Sequence, residues 1–169
     1  MGEDPECDVQ IRHVKLRVAK QPQPCLQYSP DDKQCLSTWL KVNRLTVLAL
    51  WDTGSTSMAM SPNCADLSKA IVFNLTAPVT LQLGTIGSQS KINFRTKSSV
   101  EMPGYTGLEY FDVVNIDRYK VLIGTPFMHH HKVVLDFDKK CVQVNRHNIP
   151  AIVVMGEGLG RDANRYRLR

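Results

Sequence analysis

The chain has 169 residues, of which 43% are hydrophobic and 22% charged, a balance ordinary for one globular domain with tails. A formal net charge of +5 is too small an excess to argue nucleic-acid binding by itself. The five cysteines, Cys7, Cys25, Cys35, Cys64 and Cys141, form no C-x-x-C pair, which disfavours a zinc knuckle, and no apolar run approaches the roughly 20 residues of a membrane span.

The start, "MGEDPECDVQ", is acidic and polar and does not read as a secretory signal. Glu6 stands where a myristoylation signal wants Ser or Thr. The expectation is an intracellular, cytoplasmic protein with reduced thiols, in which the sequon at Asn74 carries no sugar. Residues 1–35 read as a weakly structured arm or linker. In it "VQIRHVKLRV" alternates and predicts a lone strand, and "KQPQPCLQYSPDDKQ" has no period.

From Leu36 the signals sharpen. "LSTWLKV" puts Leu36, Thr38, Leu40 and Val42 on one face, "NR" makes a short turn, and "LTVLALW" is apolar on both faces. Together they predict a hairpin whose second strand is buried. "SPNCADLSKAI" opens on a helix-start signal. "VTLQL", the tip "GTIGSQS" and "KINFRT" predict a second hairpin. "LEYFDVVNI" and "YKVLIG" read as strands, "TPFMHHH" as one or two helical turns, and "KVVLDFD", "CVQV" and "IPAIVVM" as short closing strands. "GEGLG" then breaks the pattern, and Arg161 stands where a dinucleotide-binding loop needs its last glycine. The tail at 156–169 is basic and reads as a linker. Many short strands without βαβ alternation predict a mostly-β domain over residues 36–155.

The stretch "LTVLALWDTGSTS" ends a buried strand in a carboxylate, which normally exposes itself, pairs or does chemistry. Gly54 permits a sharp turn, and Thr53 and Ser55 can hold the loop by hydrogen bonds to nearby backbone. This fixes Asp52 in a semi-buried position. One carboxylate is a poor peptidase, but two that share a proton divide the work, because like charges so close cannot both ionise. Asp112, Asp117, Asp136, Asp138 and Asp162 all lack a following Thr/Ser-Gly. The partner of Asp52 is therefore expected to be Asp52 of a second copy, on a two-fold axis.

The segment "LALWDTGSTS" resembles the active-site segment of retroviral-type aspartic proteases (retropepsins), and "YKVLIGTPFMHHHKVVLDFD" is similar to their second signature, with Val121, Leu122, Ile123 and Gly124 matching. The pattern is most similar to protease domains in polyproteins of gypsy-type LTR retrotransposons, particularly fungal ones, over residues 38–154. The resemblance implies a closed β fold with one or two short helices, homodimeric, cleaving the element's polyprotein without metal or cofactor. It implies that Asp52 is catalytic, with Thr53, Gly54 and Ser55 supporting its loop. Leu83, Gly84, Thr85, Ile86, Gly87 and Ser88 would form a flap over the peptide. Leu122, Ile123 and Gly124 would pack behind the loop or line pockets. The implied partners are a second copy and a peptide, with no membrane and no specific nucleic acid.

Two departures stand out. Trp51 precedes the aspartate where smaller aliphatic residues are commoner, and either fills the core under the loop or shapes a pocket. His129, His130 and His131 suggest a metal site, but adjacent residues on a helix point in different directions. Three rivals remain at this level: a catalytically silent dimerisation or peptide-binding module of the same fold, a nucleic-acid-binding β domain, and an unrelated β protein in which Asp52 caps a turn. With 7% aromatics the chain lacks the stacking platform that the second needs.

Overall fold

The computed structural model describes residues 17–82 and 89–152. Its architecture follows from two tight turns written with the same dipeptide. Strands β1 (Ser37–Val42) and β2 (Leu45–Trp51) meet at Asn43–Arg44, with φ of 46° and 73°. Strands β9 (Cys141–Val144) and β10 (His147–Pro150) meet at Asn145–Arg146, with φ of 46° and 69°. Two positive φ values in a two-residue loop twist the chain with the flanking strands, and asparagine accepts them readily. The Asn43 side chain also accepts from the Ser99 backbone at 2.9 Å, which ties the first turn to a distant strand.

That distant strand closes the fold. The remaining strands are β3 (Ala59–Met60), β4 (Val72–Gln82), β5 (Gln89–Met102), β6 (Tyr105–Val113), β7 (Val121–Ile123) and β8 (Val134–Asp136). Seven of them form one sheet in the order β1-β2-β7-β3-β6-β5-β4, and β1 also pairs with β5 through Lys41–Glu101 and Val42–Val100. Six strands therefore run in a ring, with β4 added outside it. Strands β8, β9 and β10 make a second, three-stranded sheet. Inside lie Val42, Met60, Val100, Phe111, Val121, Ile123, Val142 and Val144, all fully buried. This mostly-β closed fold with two short helices matches the expected class.

Helix α1 (Pro62–Leu67) begins as its Ser-Pro signal predicts: Ser61 Oγ accepts from the Cys64 backbone at 3.1 Å, and proline fills the first helical position. Helix α2 (Thr125–His130) likewise starts with Pro126 in its first turn. Burial pushes the Cys64 thiol up to about 11, so it behaves as a small core residue rather than a nucleophile. Cys25, Cys35, Cys64 and Cys141 are all free thiols.

Three sequence expectations need correcting. The second hairpin is much longer than "VTLQL" and "KINFRT": β5 runs on to Met102 because the small polar residues Thr96 and Ser98 take buried positions and hide the alternation. Strand β4 starts at Val72 rather than Val79, is exposed along most of its length and carries an irregularity between Asn74 and Val79, near Pro78, as an edge strand can. The last strand is His147–Pro150 rather than "IPAIVVM", since the Asn145–Arg146 turn starts it early; beyond it Ile152 bridges to Ser37. The lone strand expected in "VQIRHVKLRV" falls almost wholly outside the described residues, as do the last residues of the 36–155 domain and the basic tail. Residues 17–35 are exposed but for Gln34, with one 3-10 turn at Asp31–Lys33 that Ser29 and Asp32 brace by mutual hydrogen bonds.

Candidate active site

Asp52 directly follows the last residue of β2. Its backbone N–H donates to the Ile123 carbonyl at 3.0 Å, extending the parallel ladder between β2 and β7 by one residue. The chain then turns back: Ser55 N–H donates to the Asp52 carbonyl at 3.2 Å, and Gly54 N–H donates to Asp52 Oδ1 at 2.9 Å. The carboxylate is thus oriented by its own loop and left half-buried, while Thr53 and Gly54 face solvent. A Cβ on Gly54 would stand 3.2 Å from Asp52 Oδ1, so a side chain there would crowd the carboxylate.

A second segment locks the loop from behind. Thr125 N–H and its hydroxyl both donate to the Ser55 carbonyl, at 2.9 and 3.3 Å, and Ser55 Oγ donates to the Ser57 carbonyl at 2.8 Å. The approach is close enough that a Cβ on Gly124 would lie 2.3 Å from the Ser57 carbonyl oxygen and 2.7 Å from that of Ser55. Only glycine lets these backbones meet. Trp51 fills the core beneath: it is 4% exposed, its indole N–H donates to Thr38 Oγ1 at 2.9 Å, and its ring packs on Phe127 with centroids 6.0 Å apart. The indole is a strut of the loop, not a pocket wall.

The other acidic and histidine side chains have separate duties. Asp112 is buried and paired with Arg95 across β5 and β6, Nε to Oδ1 at 2.6 Å. Asp136 accepts from Lys139 N–H in a turn. His131 stacks between Tyr105 and Phe127, at 4.2 and 4.3 Å between centroids, and stands 3.7 Å from Glu109, while His129 and His130 are exposed. Burial and a hydrogen bond to Glu109 push the Tyr105 hydroxyl up to about 12. Among the described residues no three potential ligands converge as a metal site would need.

No protein-family model matches the chain, and no curated protein does. Solved structures do. The retroviral protease-like domain of Ddi1 from Leishmania major superposes with a TM-score of 0.54, at 20% identity over 70% of this chain and 94% of that domain. The fold is retropepsin-like. Two further structures align at lower scores. A retropepsin-like aspartic protease from Rickettsia conorii gives a TM-score of 0.47 at 20% identity, over 73% of this chain and 87% of that one. EIAV protease complexed with the inhibitor HBY-793 gives 0.46 at 16%, over 62% and 93%.

On this retropepsin-like frame the residues singled out by sequence fall into three groups. Asp52, Thr53, Gly54 and Ser55 form the loop, and Ile123 and Gly124 pack behind it, Ile123 fully buried. Leu122 faces the other way, half-buried and paired with Leu50 and Ala59. Leu83, Gly84, Thr85, Ile86, Gly87 and Ser88 lie outside the described residues. Sequence reasoning missed the Thr125 clamp, the Trp51–Thr38 strut and the Arg95–Asp112 pair. The first was signalled by Thr-Pro directly after a glycine, whereas the partners of the other two are 13 and 17 residues apart with no local signal.

Proposed function

We propose that the chain is an aspartic endopeptidase that works as a homodimer, with one Asp52 from each copy sharing a proton and a water. The observation that carries this is the Asp52 loop: a carboxylate oriented by its own backbone, rigidly clamped and half-exposed, on a retropepsin-like frame. No other aspartate in the sequence is followed by Thr/Ser-Gly, and among the described residues Asp112 is already engaged by Arg95. A partner copy supplies a second carboxylate with the same orientation.

In this reading the ionised Asp52 takes a proton from the water as it attacks the scissile carbonyl, and the protonated one donates to the carbonyl oxygen. The extended peptide lies as an added strand, with its side chains alternating into pockets lined in part by Leu122. Residues 83–88 close over it as a flap. The domain spans 36–155 between an arm and a basic tail, acts in the cytoplasm, and processes the polyprotein of a gypsy-type LTR retroelement, as the two sequence signatures suggest.

Sedimentation of the purified chain, run beside inhibition by a statine-type peptide mimic, tests this. The expected result is a dimer whose cleavage of a labelled peptide is acid-shifted and blocked by the mimic. A monomer at all concentrations, or a cleavage rate that climbs steadily through alkaline pH, overturns it. A dimer that binds the mimic and cleaves no peptide points instead to a silent module of the same fold.

A further inference from the structure

Strand alternation places Leu50 and Asp52 on the face opposite Trp51. Opposed residues in a ladder share a face, and the registers run in one unbroken row: Leu50 to Leu122, Leu122 to Ala59, Ala59 to Asp112, Asp112 to Arg95, Arg95 to Phe73. The row that begins beside Asp52 thus reaches an ion pair between β6 and β5 before it ends at Phe73 on β4. Three strand spacings of ~4.8 Å separate Leu50 from Asp112, a length that an extended peptide covers in about four residues at roughly 3.3 Å each.

The two partners of that pair are unequal. The Asp112 side chain is 4% exposed and its Oδ1 is held by Arg95 Nε. The Arg95 side chain is 37% exposed, so what a ligand meets is a guanidinium oriented by a buried carboxylate. Its terminal N–H groups can only donate. The same face of β5 carries Lys91 and Lys97 on either side, both exposed, with Asn93 between. Lys97 Nζ lies 5.3 Å from the centre of the Tyr110 ring. Phe73, Leu108 and Tyr110 stand exposed on the flanking strands. The stripe is basic and donor-rich with apolar shoulders, and Glu101, at its far end, is 3.9 Å from Lys41.

We infer that Arg95, positioned by Asp112, selects peptides bearing an acidic side chain within about four residues of the scissile bond. The inference rests on the peptidase reading for the position of the peptide, and adds its charge. A carboxylate meeting the guanidinium forms charge-assisted, bidentate hydrogen bonds that a lysine or alanine cannot replace.

The test uses the full chain and a set of labelled peptides identical except for Glu, Ala or Lys at each position flanking the cut. Wild type should prefer Glu to Lys by about tenfold in kcat/KM at one position. In Arg95→Gln that ratio should fall towards one, and in Arg95→Lys it should survive in part. The double variant Arg95→Gln with Asp112→Asn keeps a neutral pair in place, and thermal unfolding reports whether each variant is folded. Binding of the same peptides to Asp52→Asn, measured by fluorescence anisotropy, separates this inference from the peptidase reading. Cleavage by wild type without acidic preference overturns the inference and leaves the peptidase. Absence of cleavage, with acidic peptides bound more tightly and that difference lost on adding Arg95→Gln, overturns the peptidase and leaves the inference. A set neither cut nor bound overturns both. An unchanged Glu-to-Lys ratio in a folded Arg95→Gln assigns the preference elsewhere and also overturns it.

Discussion

Asp52 and Asp112 share one sheet face, Asp112 on the row that starts at Leu50 beside Asp52, yet one is held by backbone and the other by a guanidinium. Asp52 receives a single N–H from its own loop and keeps the rest of its carboxylate half-exposed. Asp112 is buried, and Arg95 compensates the cost of removing its charge from water. An acidic side chain is therefore left available by what the chain builds behind it, not by sequence distance from a hydrophobic strand. The loop stays rigid around Asp52 because Thr125, Gly124 and Trp51 take the structural work that a side-chain partner takes at Asp112.

Asp52→Asn should have the largest effect. The amide oxygen still accepts from Gly54 N–H, so stability should change by no more than ~0.5 kcal/mol, while peptide cleavage drops by about 10⁴-fold or more; denaturant unfolding and a labelled-peptide assay read the two effects. Gly124→Ala attacks the scaffold instead. Its Cβ would be driven against the Ser55 and Ser57 carbonyls, which should cost about 3 kcal/mol in urea unfolding. Asp112→Ala should cost ~2 kcal/mol, less than the loss of a fully buried pair, because the released Arg95 can rehydrate. Trp51→Phe keeps most of the packing but strands the Thr38 hydroxyl, which has no exposure at all. About 1 kcal/mol should be lost, with the carboxylate of Asp52 still in place. A larger effect of Asp112→Ala than of Gly124→Ala on stability would reverse the ranking of the two supports.

Much of the site was legible because it is local. Asp52, Thr53, Gly54 and Ser55 are consecutive, and the loop they form is held by bonds two or three residues apart. The two helices were legible for the same reason, since Ser61-Pro62 and Thr125-Pro126 sit at their starts. What was hidden is what depends on the ladder. Thr96 and Ser98 broke the apolar rhythm of β5 while being as buried as any valine. The turn dipeptide Asn-Arg was read at 43–44 and passed over at 145–146, because the alternation around the second was shorter. The Arg95–Asp112 pair depends on a nine-residue register between β5 and β6, which no periodicity encodes.

The ring itself is fastened unevenly. Strands β5 and β6 share nine residue pairs, whereas β1 and β5 share two, at Lys41–Glu101 and Val42–Val100, helped by the Asn43 side chain. Strand β3 is likewise joined to β6 and to β7 by two pairs each, so β1–β5 is one of three short seams, and each opens more readily than β5–β6. Opening at β1–β5 frees the β1 edge of the β1–β2 hairpin while the β5–β6 hairpin stays zipped and β2, with the Asp52 loop, stays paired to β7. Backbone hydrogen exchange at Val42 and Asn43 should accordingly be faster than along the β5–β6 ladder.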